Sequence, residues 1–280
     1  MKRFLCLGMV ACLISGASAL AGEFTGFARE NLVAWCIVPF DASKRGPEAR
    51  AKMLKKLGIT RSAYDWRAEH VPSFEAEIRA YAANGIDFFA FWGAHEEAFS
   101  LFQKYKLTPQ IWQTAPSPKG ESDTVKVNRA IEALLPLVER TRDLGCSLGL
   151  YNHGHWGGEP KNLVAVCQAL REKHEAKHVG IVYNFHHAHE QLPSIEDSLK
   201  LMKPYLLCLN LNGMNDKPEP KILPIGKGKH DARLLEFVAR LGYDGPIGII
   251  DHQSDRDTEE CLRENLEGLE AWQKQNATTR

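Results

Sequence analysis

Eight short apolar runs alternate with eight segments of helical spacing along nearly the whole chain, and this alternation limits the fold more than any other feature. The apolar runs cover residues 32–40, 62–67, 87–92, 109–114, 147–153, 179–185, 206–213 and 245–252. The helical segments cover 47–57, 73–84, 94–105, 124–144, 160–174, 195–202, 231–241 and 257–274. A helix after every strand returns the chain to the same end of the sheet, so the strands pair in parallel. Continuous apolar runs such as Leu206-Leu207-Cys208-Leu209 suit a sheet covered on both faces. Pro47 and Pro160 open helices, and Gly58, Gly85, Gly145 and Gly242 close them. Eight such units in 280 residues predict a single-domain α/β fold, the (β/α)8 TIM barrel, for which about 250 residues is typical. A doubly wound open sheet is the alternative; it usually carries fewer strands and a glycine-rich first turn, and no GxGxxG or Walker pattern is present.

The two ends of the chain read differently from the middle. Lys2 and Arg3 precede an apolar run over residues 4–14, and Ala19-Leu20-Ala21 supplies small residues before Gly22. That is the three-part pattern of a secretory signal peptide, and the run is short of the roughly 20 residues a membrane span needs. The expectation is an exported protein, periplasmic or extracellular, with a signal peptide at 1–21, the barrel at 22–275 and a short polar tail at 276–280. No stable membrane insertion is expected after cleavage. Cleavage would leave Cys36, Cys146, Cys167, Cys208 and Cys261. This odd set lies in apolar strand runs and helical patterns, and it reads as buried free thiols.

Thirty-five basic side chains balance 35 acidic ones, so nothing electrostatic points to a nucleic acid or another polyanion. The 11 histidines are the informative count. In a barrel of this kind the site lies at the C-terminal ends of the strands. Residues 70, 95, 153, 155, 186, 187, 189, 230 and 252 put nine histidines on that side, and only His174 and His178 fall on the other. Trp92, Trp112 and Trp156 share the face, with Asn152, Asn184, Asn210 and Asn212. Aromatic planes beside amides and imidazoles suit a small-molecule carbohydrate, whose C–H face stacks while its hydroxyls need directed partners. The alternative for Trp92 and Trp112 is filler inside the barrel.

The chain resembles the xylose isomerase-like TIM barrels, the sugar phosphate isomerase/epimerase superfamily. The resemblance rests on Leu148-Gly149-Leu150-Tyr151-Asn152-His153, on 179–187 ending in His186-His187, on Ile225-Gly226-Lys227-Gly228 with Asp231, and on 241–249. It implies an isomerase or epimerase whose metal-dependent members hold a divalent ion with carboxylates and a histidine, and it marks this chain as a divergent exported member. The departures are specific. Tyr151-Asn152-His153 stands where the family has a strand-5 glutamate, Asn184 where it has an aspartate, and Asn210 and Asn212 where it has a histidine and an aspartate. His187 keeps the strand-6 histidine, while Ile250 falls near the strand-8 glutamate, with Asp251 one residue later.

Amides are weak ligands for hard cations, so the expected metal cage is largely dismantled. His153, His187 and Asp251 remain as a rearranged set for Zn, Mn or Fe. The leading expectation is sugar isomerase/epimerase-like chemistry, proton abstraction next to a carbonyl, extending to elimination. His153 and His187 are the acid/base candidates. Trp92, Trp112, Asn152, His155, Trp156, Asn184, Asn210 and Asn212 are the candidates for substrate binding, with Asp251, Glu69 and His155 as second choices for catalysis. The alternative is a noncatalytic sugar-binding barrel. Glycoside hydrolysis needs a pair of carboxylates flanking the bond, and no such pair stands out. The Gly226-Lys227-Gly228 loop reads as a permissive turn in preference to a phosphate cradle.

Overall fold

A computed structural model of the chain describes residues 25–277. The expected signal peptide and the last three residues of the tail lie outside that range. Eight parallel strands close into a barrel in sequence order: β1 (Leu32–Trp35), β2 (Arg61–Tyr64), β3 (Asp87–Trp92), β4 (Gln110–Thr114), β5 (Leu148–Tyr151), β6 (Val179–Asn184), β7 (Leu206–Leu211) and β8 (Ile247–Ile250). β8 pairs back onto β1 with Leu32 opposite Ile247 and Trp35 opposite Ile250. The fold is the single-domain (β/α)8 TIM barrel.

The helices are α1 (Pro47–Lys56), α2 (Phe74–Asn84), α3 (Glu96–Tyr105), α4 (Asp123–Leu144), α5 (His155–Gly158), α6 (Pro160–Lys173), α7 (Ile195–Met202), α8 (Asp231–Leu241) and α9 (Thr258–Ala277). Their ends follow local chemistry. Ser122 caps α4 by accepting from the Val125 N–H, and the Asp257 carboxylate accepts from Glu259 and Glu260 at the start of α9. Gly85 and Gly145 end α2 and α4 at φ 71° and 69°, in the left-handed region that a side chain disfavours. α9 runs on to Ala277, so Asn276 of the expected tail belongs to the helix and donates to the Trp272 carbonyl. No helix among the described residues is long and apolar enough to cross a membrane.

Two apolar layers result from the period-two alternation of each strand. One side of the strands packs under the helices, as with Tyr64, Phe91, Ile111, Leu150, Ile181 and Ile249. The other side fills the barrel: Val33, Trp35, Ala63, Ala90, Trp112, Tyr151, Val182, Cys208 and Ile250. Trp35 and Trp112 meet there edge to face at 4.8 Å, an arrangement that the aromatic quadrupole favours. Gly149 makes room for them, since a Cβ on it would lie 2.5 Å from Val182 and 3.1 Å from Trp112. All five cysteines of the described chain are buried and free.

Candidate active site

Beyond the filled layer, at the C-terminal ends of the strands, lies a cavity of about 210 Å³. It is lined by Trp35, Cys36, Phe40, Asp65, Arg67, Trp92, Tyr151, His153, Asn184, His186, His187 and His252. Four imidazoles form a chain across it, with ring centroids 4.5 Å apart for His153–His187, 4.3 Å for His186–His187 and 4.6 Å for His186–His252. Burial and the neighbouring rings pull His186 down to about 2, His187 to about 3 and His252 to about 4. These rings are neutral at physiological pH and serve as hydrogen-bond donors and acceptors. His187, expected as an acid/base group, lies in the cavity, where burial and the neighbouring rings favour its neutral form. His153 sits at the rim and is lowered by burial, Lys221 and His155.

Asp65 is shifted the other way. The residue is 2% exposed, one oxygen accepts from the Val38 N–H at 3.3 Å, and the other has no hydrogen bond, with the Cys36 thiol beside the carboxylate. Burial raises its carboxyl to about 7, with Arg67 opposing the shift. A group with that affinity takes up and releases protons near neutral pH. Opposite it, the Tyr151 hydroxyl oxygen accepts from Trp35 Nε1 at 3.1 Å and from Asn184 Nδ2. With both lone pairs engaged, the phenol has its own O–H left to donate. Cys36 and His252 stand at the ends of β1 and β8 with φ of 58° and 61°. Positive φ at two non-glycine residues beside one cavity is strain of the kind that collects at functional sites.

Residues 23–272 match the family described as xylose isomerase-like TIM barrel. The chain belongs to that family. Solved structures share this barrel at low identity. They include a zinc-bound IOLI protein (12% identical, TM-score 0.67, covering 88% of this chain and 98% of the other). A second is the 3-keto-D-glucoside 4-epimerase YcjR from E. coli (14%, TM-score 0.61, 88% and 99%). A third is D-psicose 3-epimerase with D-tagatose from Clostridium cellulolyticum H10 (12%, TM-score 0.62, 87% and 98%). At these identities the likeness is one of fold. No curated protein matches the sequence.

The residues of this xylose isomerase-like barrel do not assemble the metal set expected of it. Ile250 faces the barrel interior, so Asp251, one residue later, faces outward. Its carboxylate accepts from the Thr258 hydroxyl at 2.6 Å and lies beside Cys261, away from the cavity. Among the described residues no three His, Cys, Asp or Glu side chains are arranged to hold a metal ion. The proposed trio His153, His187 and Asp251 is thus corrected by one residue of strand register.

The same parity sorts the expected substrate contacts. Trp92 and Asn184 line the cavity with His153 and His187. Asn152 follows the inward Tyr151 and turns out; its amide donates to the Asn184 carbonyl and accepts from the Asn184 N–H, which locks β5 to β6. Trp112 is fully buried as barrel filler, its indole donating to Gln110. Asn210 lies inside the barrel below the cavity against Gly248, where a Cβ would come within 1.8 Å of its oxygen. Asn212 donates to the Gly213 carbonyl and lines a separate void under α8. His155 is exposed on α5, and Trp156 donates to Asp123 at the start of α4. Glu69 is exposed and outside the cavity.

Of the nine histidines on this face, four reach the cavity. His70 accepts from the Arg67 N–H, His95 packs edge-on to Trp66 and Phe74, and His230 pairs with Asp216. The residues that sequence reasoning passed over are Asp65, Arg67, Cys36 and Tyr151, together with a separate role for His186 and His252. Strand parity places Asp65, though the sequence does not mark it as unusual. Tyr64 faces the helices, so the next side chain turns into the barrel mouth.

Proposed function

We propose that this barrel is a sugar isomerase/epimerase-like enzyme that moves a proton next to a carbonyl, with Asp65 as the proton carrier and no step through a metal. The single observation that carries the reading is the Asp65 oxygen without a hydrogen bond, buried in a cavity otherwise lined by aromatic rings, neutral hydrogen-bonding groups and, at the mouth, Arg67. In the ionised form Asp65 takes the proton from the carbon beside the carbonyl; in the protonated form it returns one to the neighbouring carbon, which gives the isomer, while return to the same carbon gives only hydrogen exchange. The enediolate oxygen formed between these steps is stabilised by the Tyr151 O–H and by neutral imidazole N–H groups of His187 and His153. Trp92 and Trp35 offer faces for the C–H side of a sugar ring. The cavity is smaller than the roughly 300–1,000 Å³ of typical ligand pockets, which favours a single ring.

A second reading, sugar binding without turnover, is favoured by the depressed imidazoles, which serve recognition as well as catalysis. Export supports either reading equally. The basic start, apolar run and small-residue site of residues 1–21 support a protein that works outside the cytoplasm; a mature form beginning at Gly22 outside the cytoplasm is the expected result, and an intact Met1 form within it the contrary one.

The test of activity is a proton NMR screen of monosaccharides and sugar acids with the purified protein, read for epimer or isomer peaks and repeated with Asp65→Asn. Product formed by the wild type and lost in the variant supports the enzyme. Ligand-induced tryptophan fluorescence changes with no product from any of the sugars support the binding-only reading instead.

A further inference from the structure

The cavity mouth carries two cationic side chains that form no ion pair among the described residues. Arg67 lines the cavity, yet its guanidinium donates only to the Trp66 carbonyl at 2.7 Å and rests 5.4 Å over the Phe40 ring. Among the described residues it forms no ion pair, whereas Arg45, Arg50 and Arg256 each hold a carboxylate at 2.6–2.7 Å. Lys221 lies on the long β7–α8 loop and likewise forms no ion pair among the described residues. The adjacent Ile222 packs against the barrel's inner cluster, which ties this loop to the barrel. The charge of Lys221 acts on His153, His186, His187 and His252 alike.

We propose that the substrate is a sugar acid, a monosaccharide bearing a carboxylate, and that Arg67 is the residue that recognises the carboxylate, with Lys221 adding positive charge at the mouth. This rests on the reading of the cavity as a sugar site. A neutral sugar leaves a guanidinium at the edge of an aromatic pocket without an ion-pair partner, whereas a planar carboxylate matches its forked donors.

Carboxylate is favoured over phosphate by what has happened to the glycine loop. In barrels of this type the loops after strands 7 and 8 commonly cradle phosphate with backbone N–H groups. Here the amides of Gly226 and Gly228 donate to Asp231 Oδ2 at 2.7 and 2.8 Å, and that of Met214 to Oδ1 at 2.7 Å. The cradle is filled by the protein's own carboxylate. A Cβ on Gly228 would lie 2.4 Å from Asp231, so the loop is closed tightly around it.

The test is calorimetric titration of the full-length protein with D-glucuronate, D-galacturonate, D-mannuronate and D-gluconate, against D-glucose, D-galactose, D-mannose and D-glucose 6-phosphate. At least one acid is expected to bind about tenfold or more tightly than its neutral counterpart. That advantage should shrink with added salt, disappear in Arg67→Gln, weaken in Lys221→Gln and return in part in Arg67→Lys. Both side chains are exposed on connecting segments, and unchanged melting of the variants confirms folding. No acid binding better than its neutral partner, or an acid preference that survives Arg67→Gln, overturns the proposal. Tighter, Arg67-dependent binding of glucose 6-phosphate overturns it in favour of phosphate. Acid binding without turnover leaves this inference standing and sinks the enzyme reading; turnover of neutral sugars with no acid preference does the reverse.

Discussion

Two carboxylates at the same end of the barrel have opposite surroundings. Asp231 opens α8 and takes three backbone N–H groups of the preceding loop on its oxygens. Asp65 sits at the mouth with one long backbone hydrogen bond, the Cys36 thiol beside it, and one oxygen without a hydrogen bond. Both are buried. The first is a structural rivet, because each hydrogen bond to a buried ion offsets part of its desolvation. The second carries an uncompensated cost that folding alone does not explain, and buried groups left unsatisfied in native proteins call for a functional account.

The comparison is broken most sharply by substituting each residue. Asp65→Asn keeps the shape and removes the base, so turnover should fall by about 10²–10⁴-fold with the fold intact; steady-state kinetics and circular dichroism measure both. Asp231→Ala should do the opposite. Stripping three amides of a charged acceptor is expected to cost roughly 3 kcal/mol of unfolding free energy by urea titration, while ligand affinity of the folded protein stays unchanged.

A subtler difference appears in the pH dependence of stability. Asp65 has a folded value of about 7, raised by burial above the unfolded one near 3.8. A raised carboxyl favours the folded state fully below pH 4 and loses that contribution as pH climbs toward 7. Asp65→Asn should therefore gain on the wild type by about 2 kcal/mol between pH 5 and pH 8, after allowing for relaxation around the buried charge. A constant gap across that range contradicts the assignment. The smallest effect concerns the aromatic wall: Trp92→Ala is expected to weaken sugar binding by about tenfold, with turnover at saturation little altered.

The barrel was legible in the sequence because period-two and helical patterns alternate without interruption, and parallel pairing then leaves few topologies. The face of the site was legible too, from the placement of His153, His186, His187 and His252. What escaped was the single-residue parity at strand ends. Asp251 and Asn152 each follow an inward side chain, Ile250 and Tyr151, and so turn outward. A composition of histidines and amides does not carry that information; the last inward residue of each strand does. Asp65 escaped for a different reason. A lone aspartate between a tyrosine and a tryptophan looks ordinary until its hydrogen bonds are counted, and that count exists only in three dimensions. The glycine loop was read correctly as something other than a phosphate cradle, though its reason, the carboxylate of Asp231 inside it, is tertiary.

The most direct test of the account is exchange of the substrate's carbon-bound hydrogen with deuterium oxide, followed by proton NMR on protein treated with a strong chelator. The account predicts that wild-type protein washes deuterium into the position next to the carbonyl at the same rate before and after chelation, and that Asp65→Asn does not. Exchange that vanishes on chelation and returns with added zinc or manganese, or that persists in Asp65→Asn, would contradict it.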